Sequence, residues 1–307
     1  MRIDPSPLLS FVVGLLLLAH LILLGFFQIS FLDTWWHLKQ GELYVATRSL
    51  PIQDPFAFTT AGREWIKYSW VADILFYLDF AVLGLPGLVL LCLLLLLLIA
   101  LVLYRLLRSN GLHPLASILL VFLASLALRF RLFVRPEILS FLLLVVTLGI
   151  LHRLRSAYPQ AAYLLLPVQV VWTTIHASFL FGFGLPGLVL LANLLPGTRS
   201  APGWGRLRLD RPRLRHLATA VACLLVLTAS ILDQAFLTSR NPSGFGVRSH
   251  FFPEAATAFL ERHRLDDRVF NTYEFGGYLI WRRWPANQVF IDGRYDAVLL
   301  DEALLEA

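Results

Sequence analysis

Long uncharged stretches alternate with short charged ones along most of the chain. No residue from Pro5 to Leu32 carries a formal charge, and apolar runs recur at 85–105, 113–129, 136–152, 159–176, 178–196 and 216–234. An α-helix needs roughly 20 predominantly apolar residues to cross a bilayer. The pattern therefore predicts about seven transmembrane helices, the first over 8–31. That first run is longer than the apolar region of a secretory signal and is not followed by an A-x-A site, so it reads as a retained anchor helix. Residues 70–83, WVADILFYLDFAVL, are too short to cross and carry Asp73 and Asp79 among Trp70, Phe76, Tyr77 and Phe80. Such a mixture predicts an amphipathic helix lying at the interface.

The loops set the topology. Arg105 and Arg108 form one basic turn, His152, Arg153 and Arg155 the next, and residues 199–215 hold six arginines against Asp210 alone. Placing these three loops in the cytoplasm satisfies the positive-inside rule. Seven spans then put the N-terminus inside and the C-terminus outside. Residues 32–84, the turn from Arg129 to Glu137, the turn at His176–Ser178 and everything after Gln234 fall together on the outer face. The octapeptide GLPGLVLL occurs at Gly84–Leu91 and again at Gly184–Leu191. It reads either as a duplicated unit or as convergent helix-entry chemistry, since proline is tolerated in a first helical turn.

Beyond Gln234 the periodicity changes. Residues 254–265 have the spacing of a short amphipathic helix, while 268–271 and 288–294 read as strands. The intervening TYEFGGYLIWRRWP carries a Gly-Gly break. The expected fold class is an all-α polytopic membrane bundle with an outer first loop carrying interfacial helices and a small C-terminal α/β element. Residues 1–235 form the transmembrane domain, with outer loop 32–84, and 236–307 form an extracytoplasmic tail.

Composition strengthens this picture. Of the 307 residues 58% are hydrophobic and 15% charged, with a mean hydropathy of +0.70; a soluble globular chain carries about 25% charged residues. The net charge of +6 does not point to nucleic acid, because most of the arginines sit in short loops, where they act as topology signals. Cys92 and Cys223 lie inside apolar runs, which leaves no disulfide framework and no cysteine-based metal site.

The polar groups of the outer face are the candidates for chemistry. Asp33 directly follows the first helix, where a carboxylate is costly unless solvated or paired; it could equally cap the next helix. Trp35 and Trp36 fit an interfacial aromatic belt, and His37 and Lys39 fit a solvated loop. Asp54 precedes Pro55 in a turn. Arg129, Arg131 and Arg135 with Glu137 make a basic outer turn that runs against the positive-inside trend. Pairing with Asp33, Asp54 or Asp73 accounts for it, as does a bound phosphate, which arginine holds with its planar fork of donors. His176 sits one helical turn from Trp172. With His37 and the carboxylates it admits a divalent metal, although no spacing matches a metal motif.

Several of these stretches together resemble a family. DTWWHLKQGE, LPIQDPFAFTTAGREW, RPEILSF, WTTIHASFLFG and VFNTYEFGGYLIWRRWPANQVFIDGR are similar to bacterial polytopic proteins of the C-type glycosyltransferase superfamily, related to protein mannosyltransferases and lipid A sugar transferases. The resemblance implies transfer of a sugar from a polyprenyl-phosphate carrier, outside the cytoplasmic side of a bacterial inner membrane, with inversion at the anomeric centre. It implies that Asp33, an acid in the first outer loop, is the catalytic base. The donor phosphate would be met by residues drawn from His37, Lys39, Arg129, Arg131, Arg135 and His176. Trp35, Trp36, Asp54, Glu137 and Glu274 are the loop and acceptor candidates; Glu274 stands where oligosaccharyltransferases carry an acid in an aromatic-acidic-Gly motif. Members of the superfamily have more spans than seven, so this chain reads as a shortened or incomplete member. Two competing readings are a lipid or solute transporter, which needs polar groups at the bilayer midplane, and a non-catalytic scaffold for envelope assembly. The sugar, the acceptor and the oligomeric state are not legible.

Overall fold

The computed structural model describes residues 6–63, 68–155, 159–194, 244–248 and 251–294. The helix expected at 216–234 and the basic loop 199–215 lie outside the described residues. What is described is mostly helical, with one small sheet. Four helices are long and apolar enough to cross a membrane: Pro7–Gly25, Trp70–Ser109, Pro114–Arg131 and Glu137–Leu154.

The first of these lies in α1 (Ser6–Gly25), which ends short of the 31 expected; the non-helical stretch 26–32 then leads into a second helix, α2 (Asp33–Thr47). Next comes α3 (Trp70–Ser109), whose 40 residues would extend about 60 Å at 1.5 Å each, twice the hydrocarbon thickness. Gly84 divides it, with φ 66° and ψ −157°, a conformation that glycine adopts without a β-carbon penalty. Pro86 then falls in the first turn of the second limb, where its missing N–H leaves nothing unpaired. Residues 70–83 are therefore the separate limb expected from their polarity. The second GLPGLVLL copy behaves differently: α7 (Leu180–Leu194) runs through Gly184 and Pro186 without such a break.

Beyond α4 (Pro114–Leu128) and α5 (Glu137–Arg155), the continuous helix expected over 159–176 is interrupted. It is a 3-10 stretch, Pro159–Leu164, followed by the nine-residue α6 (Leu165–Thr173). Pro167 has no N–H to donate to the preceding turn, so regular α hydrogen bonding begins only around it. The limb 70–83 meets this region where Val71 N–H donates to Thr174 O at 3.2 Å.

In the tail, α8 (Glu254–Arg262) and α9 (Tyr273–Arg283) flank the parallel strands β1 (Asp267–Val269) and β2 (Asn287–Val289), paired Asp267 to Asn287. Both strands are shorter than expected. The Gly-Gly pair does not break the chain but lies inside α9. A β-carbon on Gly276 would overlap Ile291 O, and one on Gly277 would stand 2.8 Å from Leu32 O and 3.1 Å from Trp36 Cδ1. Gly277 lets α9 press its backbone against the start of α2, and Gly276 lets it press against Ile291–Asp292 of the tail. On the other side of α2, a β-carbon on Gly41 would overlap Asp73 O of α3, so α2 is held closely between α3 and the tail.

The main core joins α1 to α5 and includes Phe252 and Tyr278 of the tail. Trp35 is the link, edge-on to both rings at 5.2 Å. A second cluster packs Trp36, Tyr44, Phe56, Leu279, Ile280 and Val289. The loop after α2 also adds to the sheet: Val289 N–H donates to Phe56 O at 3.0 Å and Phe58 N–H to Val289 O at 3.1 Å.

Candidate functional site

Asp33 opens α2, where a carboxylate interacts favourably with the helix dipole. Its Oδ2 accepts an ion pair from Arg135 at 3.0 Å, with 15% of the Asp33 side chain and 27% of the Arg135 side chain exposed. The guanidinium also lies over the Phe31 ring at 4.4 Å, a cation–π contact that fixes its plane. Burial raises the Asp33 carboxyl above its ordinary range; Arg135 and the Trp36 indole oppose this, and the Asp292 carboxylate reinforces it. The Trp36 N–H faces this carboxylate without reaching full hydrogen-bond geometry, and among the described residues this buried donor has no other acceptor.

The wall behind Asp33 comes from the tail. Gly293 approaches so closely that a β-carbon there would overlap Asp33 Oδ1 and sit 3.1 Å from Trp36 Nε1. Tyr273 donates its hydroxyl to Gly293 O at 3.4 Å. Next to it Arg294 is 3% exposed and bridges two acids: Nη1 reaches Asp54 Oδ1 at 2.7 Å, and Nη2 reaches Asp292 Oδ2 at 2.5 Å. Nε adds a bond to Asp292 Oδ1 at 2.7 Å, and the guanidinium stacks 4.8 Å from the Phe56 ring. Asp54 also accepts from Thr60 Oγ1 at 2.6 Å and Phe56 N–H at 3.0 Å. Desolvation lowers the Arg294 pKa, but its two carboxylate partners outweigh that and hold it above the ordinary value.

Around Arg135 stand Glu137 and His176. His176 caps the short turn Ala177–Phe179, its Nδ1 accepting from Ser178 N–H at 3.1 Å. Burial lowers its pKa; the Glu137 charge opposes this and the Arg135 charge adds to it. Trp172 anchors the segment by donating from Nε1 to Ser140 Oγ at 3.0 Å.

The structure thus brings Asp33, Arg135, Glu137 and His176 together and sends the other candidates elsewhere. His37 is not a solvated loop residue that can reach a phosphate: it is 3% exposed, and its Nδ1 lies 2.5 Å from Asp73 Oδ1 on the limb 70–83. Burial holds its pKa well below the ordinary range, with the Arg135 and His176 charges adding to that. Lys39 pairs with Glu42 at 2.7 Å and lies 5.3 Å from the Trp281 ring and 5.9 Å from the Trp284 ring, at the far end of α9 from Gly293. Trp35 and Trp36, expected as belt residues, are 4% and 6% exposed and belong to the core, because the tail covers the face of α2 that would otherwise meet the interface. Asp54 is consumed by Arg294. Arg129 is half-buried in the turn after α4, within electrostatic reach of His20. Arg131 is 62% exposed and pairs with Glu137 at 3.6 Å. Glu274 is exposed in the first turn of α9.

Asp73, Gly293 and Arg294 were not among the expected site residues. The signal for the last two was the run Ile291-Asp292-Gly293-Arg294, which strand periodicity absorbed. Among the described residues, no group of three or more His, Cys, Asp or Glu side chains is placed to hold a metal ion. A scan of protein families and searches of curated proteins and of solved structures find no match for this chain.

Proposed function

We propose that the chain is an integral-membrane glycosyltransferase that moves a sugar from a polyprenyl-phosphate-linked donor to an acceptor on the non-cytoplasmic face, with Asp33 as general base. The reading takes about seven spans in a bacterial inner membrane, with the N-terminus in the cytoplasm. The observation that supports it is the Asp33–Arg135 pair at 3.0 Å, set at the start of α2, partly exposed and walled by Gly293.

A donor of this class lies in the bilayer with its phosphate at the interface. The acceptor hydroxyl attacks the anomeric carbon, the bond from that carbon to the phosphate oxygen breaks, and the polyprenyl phosphate leaves with the electron pair. The acceptor proton passes to the Asp33 carboxylate. Arg135 and His176 are the groups placed to meet the charge on the leaving phosphate. Arg135 serves two anions, so a bound phosphate competes with Asp33 for the guanidinium and leaves the carboxylate a stronger base. Attack opposite the leaving group inverts the anomeric centre. A divalent ion remains compatible with this scheme, although no step requires one.

Membranes carrying the chain, incubated with labelled polyprenyl-phosphate sugars, should transfer label to an acceptor. Asp33→Asn should insert normally and lose transfer by at least about 100-fold, the lower end of what a positioned base contributes. Transfer at the wild-type rate by that variant would rule out Asp33 as the base. Absence of transfer by the wild type across the common sugars would remove the whole reading.

A further inference from the structure

The turn Asp292–Gly293–Arg294 lies about 260 residues from Asp33 in sequence, yet it forms the surface against which the carboxylate rests. Gly293 has no positive φ, so its backbone conformation does not demand glycine. What demands it is space: a β-carbon there would overlap Asp33 Oδ1. The opposite carboxylate oxygen, Oδ2, is the one that meets Arg135. Asp33 is therefore gripped between a bare stretch of backbone and a guanidinium. The turn itself is held by the buried bridge of Arg294 to Asp54 and Asp292, and by Tyr273 on Gly293 O.

We propose that this turn is a positioning element for Asp33: Gly293, by lacking a side chain, lets the carboxylate meet Arg135, and Arg294 keeps the turn in place by clamping it to the first outer loop. The tail thereby completes the site. The inference rests on the reading of Asp33 as the working carboxylate, but it can be tested without any sugar transfer.

A substituent at Gly293 would be met first by the Asp33 side chain, which can rotate at little cost to the fold. The rotation separates the carboxylate from Arg135. The groups that face Asp33 are Arg135 from the turn before α5, Asp292 from the tail and the Trp36 indole from its own helix. His37 lies one turn along α2, Glu137 and His176 surround Arg135, and Arg294 and Asp54 lie behind Asp292. Among the described residues only the Arg135 contact is an ion pair with Asp33, so coupling between these two residues reports the position of the carboxylate.

The probe is dicyclohexylcarbodiimide, which modifies protonated carboxyl groups, applied to membranes containing the full chain across a pH series. Labelled peptides are quantified by mass spectrometry, with Asp33→Asn as the blank. Arg135→Gln should raise the midpoint of Asp33 labelling, because the cation that favours the carboxylate is gone. At a pH above the midpoint, each unit of rise means about tenfold more labelling. In the Gly293→Ala background the same Arg135→Gln change should move the midpoint by less than half as much, since the pair is already broken. Arg294→Lys, which keeps the glycine but slackens the clamp, should weaken the coupling in the same direction, and it carries the test if Gly293→Ala does not insert. An undiminished Arg135→Gln shift in the backgrounds that insert overturns the proposal. Loss of coupling in a protein that transfers no sugar would support the positioning role while removing the glycosyltransferase reading.

Discussion

Replacing Arg294 with leucine removes the cation that bridges two buried carboxylates and leaves both in place. The native guanidinium makes four charge-assisted bonds to Asp54 and Asp292, at 2.7, 3.2, 2.7 and 2.5 Å, and the side chains of all three residues are 1–3% exposed. Breaking a buried pair by deleting one partner costs about 3–5 kcal/mol, because the remaining charge stays desolvated and uncompensated. That corresponds to about a 100- to 4,000-fold change in an opening equilibrium. The effect should be local, since the bridge ties Asp292–Arg294 to the loop at Asp54 and crosses no other part of the bundle. Amide exchange of the protein in detergent should therefore show β2 and the N-terminal half of α9 losing protection by that factor, with α1 and α4 unchanged. Arg282 supplies the internal control: it reaches Glu261 at 3.4 Å, and both side chains are exposed, 44% and 39%. Arg282→Leu removes an ion pair of the kind worth at most about 1 kcal/mol. Equal loss of protection in the two variants, or none in Arg294→Leu, would show that burial of the bridge is not what holds the tail to the loop.

Two further outcomes follow from the same packing. Gly276→Ala should lower the thermal midpoint by the equivalent of about 1–3 kcal/mol of overpacking, because its β-carbon meets the Ile291 carbonyl and not a movable side-chain end; Gly149→Ala, with nothing within 4 Å, should not lower it. His176 has a lowered pKa in the folded chain and an ordinary one near 6.5 when unfolded. Its contribution is complete above that value and is lost as pH falls toward the folded pKa. The protection factor at Ala177–Phe179, corrected for the pH dependence of intrinsic exchange, should fall below about pH 6.5. That fall should vanish in His176→Asn, which can still cap but does not titrate in this range; its persistence there would place the pH response elsewhere.

The predominance of helix and the four long apolar helices were legible in the chain, because a run of uncharged residues is a local property that needs no partner to interpret. So was the separation of the limb 70–83, where Asp73 and Asp79 interrupt the apolar pattern. Asp33, Arg135 and His176 were expected near one another from a count of crossings that includes segments outside the described residues; the structure shows the proximity and not that count. The same local evidence misjudged Trp35, Trp36, His37 and Lys39. Each has a side chain at home at an interface or in water, and nothing nearby in sequence shows that α9 and the limb 70–83 cover α2. Gly276 and Gly277 read as a break because glycine weakens helices in isolation, yet here they admit a neighbouring backbone.

Two identical octapeptides show where local information stops. GLPGLVLL breaks the helix at Gly84 and stays helical through Gly184, so the break is decided by what surrounds the eight residues and not by the eight residues alone. Asp33 is the counterpart at the site. Its place after the first apolar helix is written in the sequence. Its partner and its wall are Arg135 and Gly293, residues more than 100 positions away, and its pKa is raised chiefly by the burial that packing imposes, with Asp292 adding to it. Hydrophobic patterning is carried by side chains one at a time; electrostatic environment and close approach exist only between segments, once the fold has brought them together.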